Sequence, residues 1–80
     1  MRVKVKLFAM LKEQLGEEVE LELAEPATVG GLLERFGAEY PQFRSALRSL
    51  NVAVDHTYAR AHEPIAAGQE LAIIPPVSGG

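Results

Sequence analysis

Eighty residues make one small domain, which buries only about 60% of the surface its unfolded chain exposes and leaves no room for an enclosed active site. A hydrophobic content of 48% is too high for a disordered chain, yet the longest apolar runs are far too short to cross a bilayer. A net charge of −3 argues against binding a phosphate backbone, and the absence of cysteine excludes a disulfide framework or a thiolate metal site.

From Val3 to Leu7 the apolar residues fall at every second position, with Arg2, Lys4 and Lys6 between them. This is a strand with one buried face. It lacks the charged-then-apolar order of a secretory signal, so the chain is expected in the cytoplasm. Phe8 to Gly16 reads as a short helical or turn-like connection closed by glycine. Glu18 to Leu23 repeats the alternation with glutamates, and pairing it antiparallel to the first strand sets lysines across from glutamates on the wet face.

Pro26-Ala27-Thr28 introduces the main helix, with Thr28 as N-cap and Val29, Leu32, Leu33, Phe36 and Tyr40 on one face. Gly30, Gly31 and Gly37 weaken that helix, and close packing against the sheet would explain them. Pro41 interrupts it, and Phe43, Ala46, Leu47 and Leu50 mark a shorter helical segment. Val52 and Val54 face inward in the next strand, followed by a turn near Asp55-His56-Thr57 and a short segment around Tyr58 to Ala61. After the Gly68 turn, Leu71-Ala72-Ile73-Ile74 is apolar on both faces, as a strand in the middle of a sheet would be.

This order has the fewest exposed faces as an α+β domain whose mixed sheet wraps over one main helix, with the first and last strands adjacent and parallel. That is a β-grasp, or ubiquitin-like, fold. The folded domain is expected over residues 1–74, with residues 75–80 as a tail.

The tail carries the functional signal. Pro75 and Pro76 fix φ and cannot donate to a sheet, so they should end the last strand and direct Val77 and Ser78 away from the domain. Gly79 and Gly80 lack a Cβ and can pass through a channel too narrow for any other residue. No cysteine, histidine or acid lies in the last six residues, so general acids and bases, like any sulfur, must come from partners.

Together, Val5-Lys6-Leu7-Phe8-Ala9-Met10-Leu11-Lys12-Glu13, Thr28-Val29, Val52-Ala53-Val54-Asp55 and the segment from Gly68-Gln69-Glu70-Leu71 to Pro75-Pro76-Val77-Ser78-Gly79-Gly80 resemble the small, sulfur-carrying subunits of molybdopterin synthases. Sulfur carriers for thiamine or transfer RNA share the diglycine but usually lack the Pro-Pro-Val-Ser lead-in and the Phe-Ala opening. Asp55 stands where such subunits more often have asparagine.

The resemblance implies a chain with no bound cofactor that is not an enzyme by itself. An E1-like adenylating enzyme consumes ATP to adenylate the Gly80 carboxylate, and a sulfur donor protein displaces AMP to leave a thiocarboxylate. The tail then enters the large synthase subunit, in a heterotetramer, and gives its sulfur to a cyclic pyranopterin phosphate to build the dithiolene. The alternatives are a sulfur carrier for thiamine or transfer RNA thiolation, and a modifier that is conjugated through Gly80 to a lysine of another protein, which a diglycine end also permits. No nucleic acid or membrane partner is expected.

Phe8, Tyr58 and Ile74 fall out of step with the buried positions of their strands. They form either a second small core under the loops or an apolar docking patch beside the tail; by the resemblance, Tyr58 and Ile74 sit where such subunits meet their partners. His56 and His62 are read as solvated turn residues and not as metal ligands, and Arg44 and Arg48 as a solvated helix face with phosphate binding as the minor reading.

Overall fold

The computed structural model describes residues 1–76. Strand β1 (Arg2–Leu7) buries Val3, Val5 and Leu7 and exposes the cations between them, as period-two alternation requires. Helix α1 (Ala9–Leu15) follows directly, with Leu11 fully buried and the Gly16 N–H closing its end on the Lys12 carbonyl at 2.9 Å. Strand β2 (Glu18–Glu22) returns antiparallel to β1, with Val19 opposite Val5 and Leu21 opposite Val3.

Helix α2 (Val29–Glu39) begins where Thr28 Oγ1 accepts the Gly31 N–H at 3.1 Å, which satisfies one of the four free donors of its first turn. Its apolar stripe places Val29, Leu32 and Phe36 in the core, while Leu33 and Tyr40 are partly buried. Pro41 opens a 3₁₀ helix (Pro41–Ser49), from which Phe43 stacks on Phe36 with ring centroids 5.7 Å apart.

Strands β3 (Asn51–Val54) and β4 (Thr57–Ala59) form a hairpin. Its two turn residues, Asp55 and His56, have φ of +50° and +70°, the left-handed pair that a type I′ turn demands. Strand β5 (Leu71–Ile74) lies in the middle of a sheet ordered β2-β1-β5-β3-β4, parallel to β1 and antiparallel to β3. This is the β-grasp expected from the sequence: α2 covers one face of the sheet, and the core lies between them.

Three details depart from the sequence reading. The helix glycines do not face the sheet: the Gly30 N–H donates to the Ala61 carbonyl at 2.8 Å, and a Cβ there would stand 3.2 Å from that oxygen. A Cβ on Gly37 would come within 2.7 Å of Leu47 Cδ1, so this glycine makes room for the 3₁₀ helix. Gly31 belongs to the Thr28 cap.

The register sets Lys4 across from Glu20 and Lys6 across from Glu18, as the alternation predicted, and the second departure lies only in which carboxylate Lys6 pairs with. Arg2 reaches across to Glu20 and Glu22 at 3.3 and 3.2 Å, but Lys6 turns from Glu18 to Glu70, beside β5, at 3.2 Å. The third is at β3, where Val54 is only partly buried whereas Ala53, which faces the other side, is 7% exposed.

Candidate docking face and tail base

The outer face of the sheet divides in two. Arg2, Lys4, Lys6, Glu18, Glu20 and Glu22 cover the β1–β2 half with charge. The β5–β3–β4 half carries the small and apolar Ala53, Tyr58, Ala72 and Ile74, with Asn51 as its polar residue opposite Ile74.

Phe8 leaves β1 just past the last buried position, Ile74 alternates with the buried Ile73, and Tyr58 stands opposite Ala53 in the hairpin. All three line one open depression of about 350 Å³ together with Ala53 and Ala72. Phe8 is 45% and Tyr58 63% exposed, so no loop covers them and they do not form a second small core. Contiguous exposed apolar surface of this kind makes the depression a candidate interaction site.

One end of the depression is polar. Glu70 places one carboxylate oxygen 3.2 Å from Lys6 Nζ and the other 3.5 Å from His56 Nε2. These exposed contacts are worth little as stability, but they hold the three side chains beside one another. Asp55 anchors the same corner through its backbone N–H, which donates to the Glu70 carbonyl at 2.8 Å, and its Oδ1, which accepts the Glu70 N–H at 2.9 Å. Asp55 Oδ2 also accepts from Gln69 Nε2 at 3.3 Å. The β3–β4 turn is thereby tied to the start of β5, an arrangement the sequence reading did not anticipate.

Strand β5 ends at Ile74, as the prolines required. Pro75 is nevertheless buried and Pro76 exposed, so the packed body continues one residue beyond the strand. The base of the tail is therefore held against the domain, next to Ile74 and the depression. Val77, Ser78, Gly79 and Gly80 lie outside the described residues.

His56 and His62 are both exposed, and among the described residues no group of three or more His, Cys, Asp or Glu side chains is placed to hold a metal ion. Arg44 and Arg48 are exposed on the 3₁₀ helix. Among the described residues no helix is long and apolar enough to cross a membrane. The sequence reading missed Ala53, Ala72, Asp55 and Glu70. The available signal was the pair of alanines at outward positions of two strands, which acquires meaning only once those strands are known to be neighbours.

The model of the ThiS family matches residues 5–80. The molybdopterin synthase sulfur carrier subunit of Chlamydomonas reinhardtii is 36% identical over 83 aligned positions, covering 100% of both chains. Small archaeal modifier protein 1 of Haloferax volcanii is 37% identical, over 94% of this chain and 97% of its own. The crystal structure of SAMP1 from Haloferax volcanii superposes with a TM-score of 0.83 at 35% identity, over 100% of both chains.

Proposed function

The chain belongs to the ThiS family, and on that premise we propose that it is the sulfur carrier subunit of a molybdopterin synthase. The observation that carries this reading is end-to-end similarity to a molybdopterin synthase sulfur carrier subunit, in a chain that finishes Pro-Pro-Val-Ser-Gly-Gly.

In this proposal the reactive atom is the terminal carbonyl carbon of Gly80. A carboxylate resists attack because its oxygen is a poor leaving group; joining it to AMP converts it to a mixed anhydride. A sulfur donor protein then displaces AMP and leaves a thiocarboxylate, whose sulfur attacks the cyclic pyranopterin phosphate precursor. Water cleaves the resulting thioester at the Gly80 carbonyl carbon, which returns the carboxylate and leaves the sulfur on the pterin. ATP is consumed by the adenylating enzyme, and this chain holds no cofactor of its own. The large synthase subunit supplies the pocket and the acid–base groups, in a cytoplasmic heterotetramer in which two charged tails complete one dithiolene.

The fold supports this division of labour. A docking face of Phe8, Tyr58 and Ile74 adjoins the buried Pro75, so the face that grips a partner also sets where the tail departs. A second reading, which a diglycine end also permits, has Gly80 forming an isopeptide bond with a lysine of another protein; a relative named as a modifier is among the similar chains.

Incubation with ATP, the adenylating enzyme and a sulfur source, followed by intact mass spectrometry, separates the two. The carrier reading expects one oxygen-to-sulfur exchange that maps to the C-terminal peptide and disappears on transfer to the pterin precursor. It also expects a chain extended past Gly80, or lacking it, to be inactive without losing stability, because the reacting atoms must come within about 3–3.5 Å. Sulfur on any other residue, or product from an untrimmed extended chain, would sink it. Covalent adducts in cell extract would establish the modifier reading.

A further inference from the structure

One edge of the sheet is β2. The Leu23 N–H donates to the Met1 carbonyl at 2.7 Å and the Leu7 N–H to the Glu17 carbonyl at 2.9 Å, which fixes the phase of the antiparallel ladder with β1. Bonded and unbonded pairs alternate in such a ladder, so Val19 and Leu21 bond to β1 while the backbone N–H and C=O of Glu18, Glu20 and Glu22 point away from it. Among the described residues no strand lies beyond β2 to take them. The strand has neither the proline nor the bulge that commonly blocks an edge. The opposite edge, β4, has only three residues and offers less to pair with.

The side chains determine what can pair there. Two copies joined antiparallel about the centre of β2 would set Glu20 against Glu20 and Glu18 against Glu22, and like charges directly opposite are destabilising. A strand with cations at alternate positions is favoured instead. Strand β1 is the example, since it sets Arg2, Lys4 and Lys6 opposite Glu22, Glu20 and Glu18. The remaining side chains of an added strand turn toward α2. There a groove of about 360 Å³, lined in part by Leu23, Ala27, Gly31 and Glu34, lies between the end of β2 and the first turns of α2. Gly31 has no side chain to fill it, and Arg35 on its rim is held by Glu39 at 2.8 Å.

We propose that the β2 edge is a strand-addition site for an extended segment of another protein in which cations alternate with apolar residues. Glu18, Glu20 and Glu22 supply the backbone hydrogen bonds and face the cations, and the groove beside α2 takes an apolar side chain near one end. Strand β1 stands between β2 and β5, so the tail base lies two strands, about 10 Å, from this edge. A partner bound here leaves the tail accessible. The site stands apart from the sulfur-carrier reading, because it depends on register and charge and not on the chemistry of Gly80.

The test titrates the full chain with a synthetic peptide of the β1 sequence, Arg-Val-Lys-Val-Lys-Leu, and follows each backbone amide by nuclear magnetic resonance. At saturation the amide resonances of Glu18, Glu20 and Glu22 should shift and their exchange with solvent should slow at least about tenfold, because each outward N–H then donates to the peptide. Val19 and Leu21, already bonded to β1, should keep their exchange rates. A peptide of the same composition shuffled to lose the alternation, and one with glutamates in place of the cations, should leave all five amides unprotected by comparison.

Glu20→Pro removes an outward donor but no bond to β1, so this variant should fold, as its melting curve verifies, and lose affinity for the peptide. The peptide comparisons decide the question without it, since they need no variant to fold. Unchanged exchange at the three glutamates, or equal slowing by the shuffled peptide, overturns strand addition while leaving the sulfur-carrier reading intact. Faster exchange at Val19 and Leu21 would show the peptide displacing β1, and slowing that grows with the concentration of the chain alone would show a second copy on the edge; either result overturns the proposal.

Discussion

Replacing Tyr58 with alanine isolates the docking face from the stability of the domain. The side chain is 63% exposed on an edge strand, and its partner across the hairpin is the small Ala53. Its loss should lower stability by less than about 1 kcal/mol. The binding term is larger. Taking about 200 Å² for a tyrosine, the 63% that is exposed amounts to about 125 Å², worth about 3 kcal/mol at 25 cal/mol per Å² if a partner covers all of it.

Partial coverage roughly halves that gain, so Tyr58→Ala should weaken binding to the large subunit by about 1.5–3 kcal/mol, or about 10- to 150-fold. Calorimetric titration of both chains against the large subunit, alongside their melting curves, measures the two effects separately. Tyr58→Phe, which keeps most of the apolar area, should stay close to the unaltered chain. An unchanged affinity for a folded Tyr58→Ala chain would refute the assignment of this face, because no partner could cover the depression without touching its most exposed apolar wall.

Gly79→Val should melt normally yet fail in adenylation or sulfur transfer, since a β-branched side chain occupies the channel that glycine leaves clear; normal product formation would dispose of the channel argument. Asp55→Ala removes two acceptor contacts and puts a non-glycine Cβ with no local hydrogen bond at φ +50°, so stability should fall by about 1–3 kcal/mol, a melting shift of very roughly 5–20 °C. Asp55→Asn keeps an acceptor oxygen and tolerates that φ, so it should cost much less; equal losses in the two variants would show that the side-chain contacts do not matter. Replacing His62 with glutamine should leave sulfur transfer largely intact in a coupled assay, and loss of transfer would give it a role that the geometry does not indicate.

The alternation of Val3, Val5 and Leu7, its acidic counterpart at Glu18 to Leu23, the Thr28 cap and the helical spacing through Phe36 were legible because each depends only on near neighbours in the chain. The apolar run Leu71–Ile74 likewise announced a central strand, although only Leu71 and Ile73 are buried and Ala72 and Ile74 face the open depression.

Tertiary structure decided the lateral relations. Lys6 stands opposite Glu18 but pairs with Glu70, Gly37 admits Leu47 and not the sheet, and Ala53 lies beside Ala72 in the depression. Ala72 and Ala53 are 19 positions apart in the chain. They become neighbours only when β5 inserts between β1 and β3 and the register brings Ile73 and Val52 together over α2. Alternation specifies which face of a strand each side chain occupies. Which side chain stands next to it across the sheet depends on strand order and register, and those are set by closure of the whole core.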